Sequence, residues 1–259
     1  MAHIVNLMEN SQEVVLEKVM MALKNSNVAI VPTDTVYGIV CDGKNDFAKE
    51  NLYILKNRPE SKPLIGFTKD MEMAKKVAHI SENFLPFITK RWPGRNTFIF
   101  QSKIESNHIV GKDKTIALRI PDYSFINNLC DSFPMLASTS ANVSFSKSAC
   151  CIDEIDSELL EKVAIVVDGG RISGRESAIW DMTENIPRLV RGRVLFVCSG
   201  NSCRSPMAQA LLKNIVADKK IEVASAGTDA DFSGRASQSA IDVLKETGIN
   251  FEDFVTTSL

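Results

Sequence analysis

Apolar residues recur along this chain in two rhythms. After Asn10, Leu16, Val19, Met20 and Leu23 fall at helical spacing, and Asn10 with Glu13 has the spacing of a capping box, so a helix is predicted to begin there. Val28 to Val31 is an apolar run too short for a helix and is stopped by Pro32, which reads as a buried strand. A second helix is predicted over Phe47 to Asn57, ending ahead of Pro59 because a residue before proline is pushed out of helical geometry. Strands are predicted at Leu64 to Thr68, Thr97 to Gln101, Thr115 to Ile120, Met135 to Ala137 and Val163 to Val167, with weaker patterns at Ser177 to Met182 and Arg188 to Val190. Helical and strand-like segments alternate, which argues for an α/β fold.

The pattern restarts at Arg193. Val194 to Val197 reads as a strand, Ser205 to Val216 as a helix, Ile221 to Ala224 as a strand and Ala236 to Thr247 as a helix stopped by Gly248. Two domains are therefore expected, residues 1–192 and 193–259, with almost no linker between them.

Composition narrows the function. Of the 259 residues 44% are hydrophobic and 24% charged, the balance of a globular chain with room for a real core. A formal net charge of -2 does not indicate a strongly basic nucleic-acid binder, although a local basic groove is compatible with it. The N-terminal residues lack the basic and apolar regions of a signal peptide, and no apolar run approaches the roughly 20 residues that span a bilayer. A cytoplasmic protein that does not enter membranes is expected. The six cysteines include no C-x-x-C pair and the three histidines lie far apart, so no structural zinc site is expected; Cys41 and Cys130 read as small buried hydrophobes.

Several polar clusters follow the predicted strands, where α/β proteins build sites. Pro32-Thr33-Asp34-Thr35-Val36-Tyr37-Gly38 offers two hydroxyls, a carboxylate and a phenol, a set able to grip a small zwitterion; a turn with solvated side chains explains it equally well. Lys56-Asn57-Arg58-Pro59 places two cations at a helix end, which suits a polyphosphate or simply complements the helix dipole. Arg119 sits in an apolar strand, where a charge is costly unless paired or facing a site. Ser138-Thr139-Ser140-Ala141-Asn142 supplies small hydroxyls and an amide for phosphate, ribose or a turn.

Taken in order, P-T-D-T-V-Y-G, K-N-R-P, W-P-G, R-I-P, S-T-S-A-N and a late Ser177 followed by L-V-R-G resemble the motif series of the YrdC-like family of L-threonylcarbamoyladenylate synthases, over about residues 2–191. The resemblance implies a twisted mixed α/β sheet with a concave cavity. It implies a reaction in which the amine of L-threonine captures carbon dioxide from bicarbonate and the carbamate attacks the α-phosphorus of ATP, with Mg2+ on the phosphates. Pyrophosphate leaves, and the threonylcarbamoyl-AMP serves tRNA modification through partner proteins. It implies roles for matching positions: Thr33, Arg119 and Ser177 on threonine, and Lys56, Arg58, Thr115, Ser138, Ser140, Asn142 and Arg191 on ATP. The sequence departs from the family's pattern at Phe145, where a glycine is usual, at Ala178, where a hydroxyl is usual, and at Arg95, which is expected near the cavity.

The sharpest local signal is Val194 to Pro206: an apolar strand, a C-x5-R loop and the start of a helix. Loop amides and the helix dipole make an anion cradle, the same field favours a Cys198 thiolate, and Arg204 can fork onto two phosphate oxygens. Asn201 can brace the loop, Ser205 can donate to the sulfur, and Cys203 is placed to form a reversible disulfide with Cys198. With Ser225-Ala226-Gly227-Thr228 downstream, this resembles the low-molecular-weight protein tyrosine phosphatases, a family that includes arsenate reductases. The resemblance implies Cys198 as nucleophile and Asn201, Arg204 and Ser205 as phosphate ligands on a parallel-sheet α/β domain. Members of that family are longer and carry a general-acid Asp-Pro pair. None occurs here, so only part of that domain and a weak phosphatase activity are expected. A non-catalytic RNA-binding module is the remaining alternative for the first domain.

Overall fold

The computed structural model describes residues 3–59, 61–142, 147–217, 220–231 and 234–259. Phe145 lies outside the described residues. In chain order the elements are β1 (His3–Asn6), α1 (Gln12–Lys24), β2 (Ala29–Val31), β3 (Gly38–Asp42), α2 (Asp46–Lys56), β4 (Ile65–Phe67), α3 (Met71–Val77), β5 (Ala78–His79), α4 (Leu85–Thr89), β6 (Asn96–Ser102), β7 (Thr115–Arg119), α5 (Ser124–Ser132), β8 (Leu136–Ser140), α6 (Ser157–Lys162), β9 (Ile165–Asp168), β10 (Ala178–Asp181), β11 (Arg188–Cys198), α7 (Arg204–Ile215), β12 (Lys220–Gly227) and α8 (Gln238–Glu246). They form two compact units, residues 1–188 and 189–259.

In the first unit the strands run in the order β1-β9-β2-β3-β8-β4-β7-β6-β10, with β5 paired to β6. The sheet is mixed: β1, β9 and β2 are parallel, β3, β8 and β4 alternate antiparallel, and β7 is parallel to β4. Buried residues alternate between its faces, as strand geometry requires. Val31, Val40, Phe67, Leu136 and Val167 pack with Val15, Val19 and Leu23 of α1 and Phe125 and Leu129 of α5. Ile30, Ile39, Cys41, Leu118 and Ala137 pack on the other face with Leu52 and Tyr53 of α2 and Leu159 of α6. Cys41 and Cys130 are free and buried, as their composition suggested.

Three local details differ from the patterns read along the chain. Helix α1 is capped by Ser11, whose side chain accepts from the Val14 amide, while Asn10 turns its amide group back to the Asn6 carbonyl. Strand β3, buried on both faces, follows the Thr33–Tyr37 loop directly, so Gly38 begins a strand rather than ending a loop. Arg188 to Val190 and Val194 to Val197 are one continuous strand, β11.

In the second unit β11 pairs in parallel with β12, from Arg191 opposite Lys220 to Cys198 opposite Gly227. Ser258 continues the parallel pattern by bridging to Gly227. No helix among the described residues is long and apolar enough to cross a membrane.

Candidate functional site

Strand register brings the polar clusters of the first unit together. Ser140 lies opposite Gly38, Ser138 opposite Val40 and Ile65, Ala117 opposite Ile65, and Arg119 opposite Phe67, so these side chains share one sheet face. It is the face that α1 and α5 cover at Val40, Phe67 and Leu136. At Gly38 a Cβ would stand in ordinary contact, 3.4 Å from Ser138 Oγ and 3.7 Å from Thr33 Cγ2. Thr33 and Ser138 both flank Gly38.

The cations gather at the end of β8. Asn57 closes α2 in the left-handed conformation, φ 46°, which asparagine tolerates better than most residues. The turn sends Lys56 and Arg58 toward the same strand end. Lys56 Nζ donates to Thr139 Oγ1 (2.9 Å), Ser140 O (2.5 Å), Ser140 Oγ (3.0 Å) and Asn142 Oδ1 (3.0 Å). Arg58 donates from Nη1 to Thr139 Oγ1 (3.2 Å), from Nε to Lys62 O and from Nη2 to Pro63 O (both 2.8 Å). Burial first, then the neighbouring Arg58 charge, pushes Lys56 down to about 7, and burial also lowers Arg58. Four oxygens around one ammonium work the other way and favour its charged form. The result is a lysine that titrates near neutrality and gains from any arriving anion.

Arg119 is 3% exposed and held on three sides. Nη2 pairs with Asp34, Nη1 donates to Thr35 Oγ1 (2.8 Å) and Nε to Gly94 O (3.1 Å). Asp34 supplies the partner that a charge in an apolar strand demands. The loop carrying Asp34 is itself braced. Thr33 Oγ1 donates to Val36 O (2.8 Å) and accepts from the Thr35 amide (3.0 Å). Tyr37 donates to Gly170 O (2.7 Å) and accepts from the Gly169 amide (3.0 Å), and burial pushes its phenol up to about 12, so it acts as a neutral clamp. Ser177 is buried with its hydroxyl 2.9 Å from that of Thr97.

The remaining positions are placed as follows. Thr115 opens β7 four residues from Arg119; its hydroxyl donates to Asp113 (2.7 Å) rather than into the Lys56 cluster. Arg191 belongs to the second unit, on β11 opposite Lys220. The Arg95 side chain is exposed, and its carbonyl accepts from the Ala178 amide at 3.0 Å. Thr139 and Thr35 lie within quoted motifs and Thr97 three residues after W-P-G, but their contacts come from partners at least 80 residues away.

In the second unit the Cys198–Arg204 loop wraps a buried Asn201. Its amide nitrogen donates to Ser205 Oγ (2.9 Å) and Ser225 Oγ (2.8 Å), and its oxygen accepts from the Thr257 amide (2.8 Å). Asn201 is left-handed, φ 48°. Gly227 lets β12 run close beneath the loop, since a Cβ there would reach within 2.9 Å of the Asn201 nitrogen. Cys198 Sγ lies 2.9 Å from Ser205 Oγ at the start of α7. Burial opposes the thiolate, but the Ser205 hydroxyl, the Ser205 and Asn201 amides and the Arg204 charge outweigh it and hold Cys198 below the ordinary thiol range.

Comparison with known proteins finds a family for each unit. Residues 21–192 match the Sua5/YciO/YrdC family, described as telomere recombination, and residues 193–258 match the low molecular weight phosphotyrosine protein phosphatase family. A putative threonylcarbamoyl-AMP synthase of Methanocaldococcus jannaschii is 37% identical over 168 residues, covering 65% of this chain and 80% of the relative. The threonylcarbamoyl-AMP synthase of Bacillus subtilis is 31% identical over 174 residues, covering 65% of this chain and 50% of the relative. The crystal structure of P. abyssi Sua5 complexed with L-threonine shares the fold at a TM-score of 0.67 and 18% identity, over 100% of this chain and 91% of that one. The motif order, the mixed sheet and these matches together place the chain in the Sua5/YciO/YrdC family.

Proposed function

We propose that the first unit is an L-threonylcarbamoyladenylate synthase, joining L-threonine, bicarbonate and ATP into threonylcarbamoyl-AMP and pyrophosphate for tRNA modification. The observation that carries this is the Lys56, Arg58, Thr139, Ser140 and Asn142 cluster at one strand end, on the sheet that also holds the Asp34–Arg119 pair. A polyphosphate meets two cations, hydroxyls and an amide; an amino-acid carboxylate meets a fixed guanidinium. Lys56 and Arg58 hold the phosphates, Ser138, Ser140 and Asn142 line the nucleotide, and Thr33, Arg119 and Ser177 face threonine. Positioning and charge stabilisation suffice: the carbamate oxygen attacks the α-phosphorus, and the bond to the departing pyrophosphate breaks. Magnesium fits as a companion of ATP. Among the described residues no group of three or more His, Cys, Asp or Glu side chains could hold a metal by itself, and the nucleotide side of the site is cationic and hydroxylic. Riding on the phosphates, the ion would neutralise their charge. Purified protein given ATP, Mg2+, L-threonine and bicarbonate should yield threonylcarbamoyl-AMP by mass spectrometry, with omission of any one of the three substrates abolishing it. Bound ATP with no product would overturn the reading.

The geometry of the second unit favours a separate reading for it. The Cys198 loop is an oxyanion cradle beside a thiol held below its ordinary range, and it binds phosphate or arsenate; these 259 residues contain no Asp-Pro pair to protonate a leaving group. Cys198 should be alkylated by iodoacetamide at pH 7 about tenfold faster than the other thiols. Burial pushes Cys41 and Cys130 up to about 12 and silences them. Phosphate should protect Cys198, and aryl phosphate hydrolysis should stay slow. Timed peptide mapping checks the first expectation; fast hydrolysis abolished by Cys198→Ser would refute the second.

A further inference from the structure

Asp34 has no part in the reaction as described above beyond its contact with Arg119. Its Oδ1 pairs with Arg119 Nη2 and its Oδ2 accepts from the Asp122 amide at 3.3 Å. A carboxylate has about four lone-pair positions, so both oxygens keep accepting capacity. The pair is nearly buried, with side-chain exposures of 4% for Arg119 and 8% for Asp34. Two opposite charges are fixed side by side, so a ligand that reaches both meets a positive and a negative edge. That arrangement is the complement of a zwitterion. A guanidinium alone accepts any small carboxylate, whereas an adjacent fixed carboxylate repels a ligand that brings only negative charge. An α-ammonium converts that repulsion into attraction.

We propose that Asp34 reads the α-ammonium of the substrate and so makes the Arg119 pocket select amino acids over carboxylic acids that lack an amine. The inference rests on the synthase reading, since it takes Arg119 as the holder of the threonine carboxylate. It concerns the encounter with the zwitterion, before the amine loses its proton to water and captures carbon dioxide. Asp34 is thus a specificity residue, while Arg119 is the group common to both kinds of ligand.

The test is calorimetric titration of the full chain with L-threonine and with (R)-3-hydroxybutyrate, which is threonine without its amine. Wild type should bind L-threonine at least about tenfold tighter, the value of a charge-assisted contact. Asp34→Asn should lose about tenfold or more on L-threonine and nothing on 3-hydroxybutyrate, bringing the ratio near unity, with ATP affinity unchanged as the check on folding. Equal weakening of both ligands would make Asp34 a mere support for Arg119 and overturn the inference, as would an unchanged ratio. Should Asp34→Asn not fold, wild type alone decides: equal affinity for the two ligands overturns it. Wild type that binds ATP but neither ligand sinks the threonine reading itself, a result distinct from either of these.

Discussion

Replacing Lys56 by methionine should weaken ATP binding by roughly 100-fold, the cost of removing one charged partner from a desolvated phosphate contact. Methionine keeps the length and apolar stem, so α2 should stay packed. Lys56 is 4% exposed, and its ammonium is surrounded by Thr139, Ser140 and Asn142, which cannot replace its charge. Arg58 alone would face the polyphosphate, gripping it from a frame already used by Lys62 O and Pro63 O. Calorimetry with ATP measures the loss, and an unchanged Kd would remove Lys56 from the nucleotide site.

The same lysine ties ATP affinity to pH. Burial and Arg58 hold it near 7 in the free protein. Phosphate charge favours the ammonium, so its value must rise in the complex and binding must take up a proton above pH 7. Affinity is then fullest below about pH 7 and falls by up to about tenfold per pH unit above it, until the raised value in the complex is reached. Titrations at pH 8 in two buffers of different ionisation enthalpy should report proton uptake in wild type and none from this group in Lys56→Met.

The residues of the Lys56 cluster stand out in the sequence, while the contacts that join them depend on tertiary structure. Lys56, Arg58, Ser140 and Asn142 stand in short motifs whose chemistry is local, and the strand ends that carry them were visible as apolar runs. Asp34 was visible as a carboxylate in a loop, but its partner is 85 residues away and only the register of β4 with β7 and β8 brings Arg119 toward it. Strand β3 escaped notice because Gly38 follows a polar loop and the five-residue run is buried on both faces, which erases alternation. The helix start moved by one residue because Asn10 and Ser11 both can cap, and the Asn6 carbonyl claims Asn10. In the second unit the C-x5-R spacing announced its loop. The bracing of that loop from Ser225 and Thr257 depends on β12 passing beneath it at Gly227, a tertiary fact.

Arg119→Ala should damage stability and function together, and the two can be separated. Removing the guanidinium leaves the Asp34 carboxylate, 8% exposed, with the Asp122 amide in place of a cation, and takes the donor from Thr35 and Gly94. Breaking one side of a buried pair costs about 3–5 kcal/mol, which for a unit of this size lowers its melting temperature by roughly 10 °C. Threonine binding should vanish at the same time, because the carboxylate loses the guanidinium proposed to hold it. Removing both charges should restore stability without restoring function. Asp34→Leu with Arg119→Leu deletes the uncompensated charge and fills the space with apolar volume, an exchange that is often neutral or better in buried pairs. The double variant should therefore melt well above Arg119→Ala while remaining unable to bind L-threonine, and a double-mutant cycle through Asp34→Leu should give a coupling of more than about 1 kcal/mol. Additive losses would mean that the two side chains do not act as a pair. Retained threonine binding in the double variant would mean that the amino acid is held elsewhere, most directly by Ser177 and Thr33, and that the Arg119 guanidinium serves the fold of the Thr33–Tyr37 loop rather than the ligand.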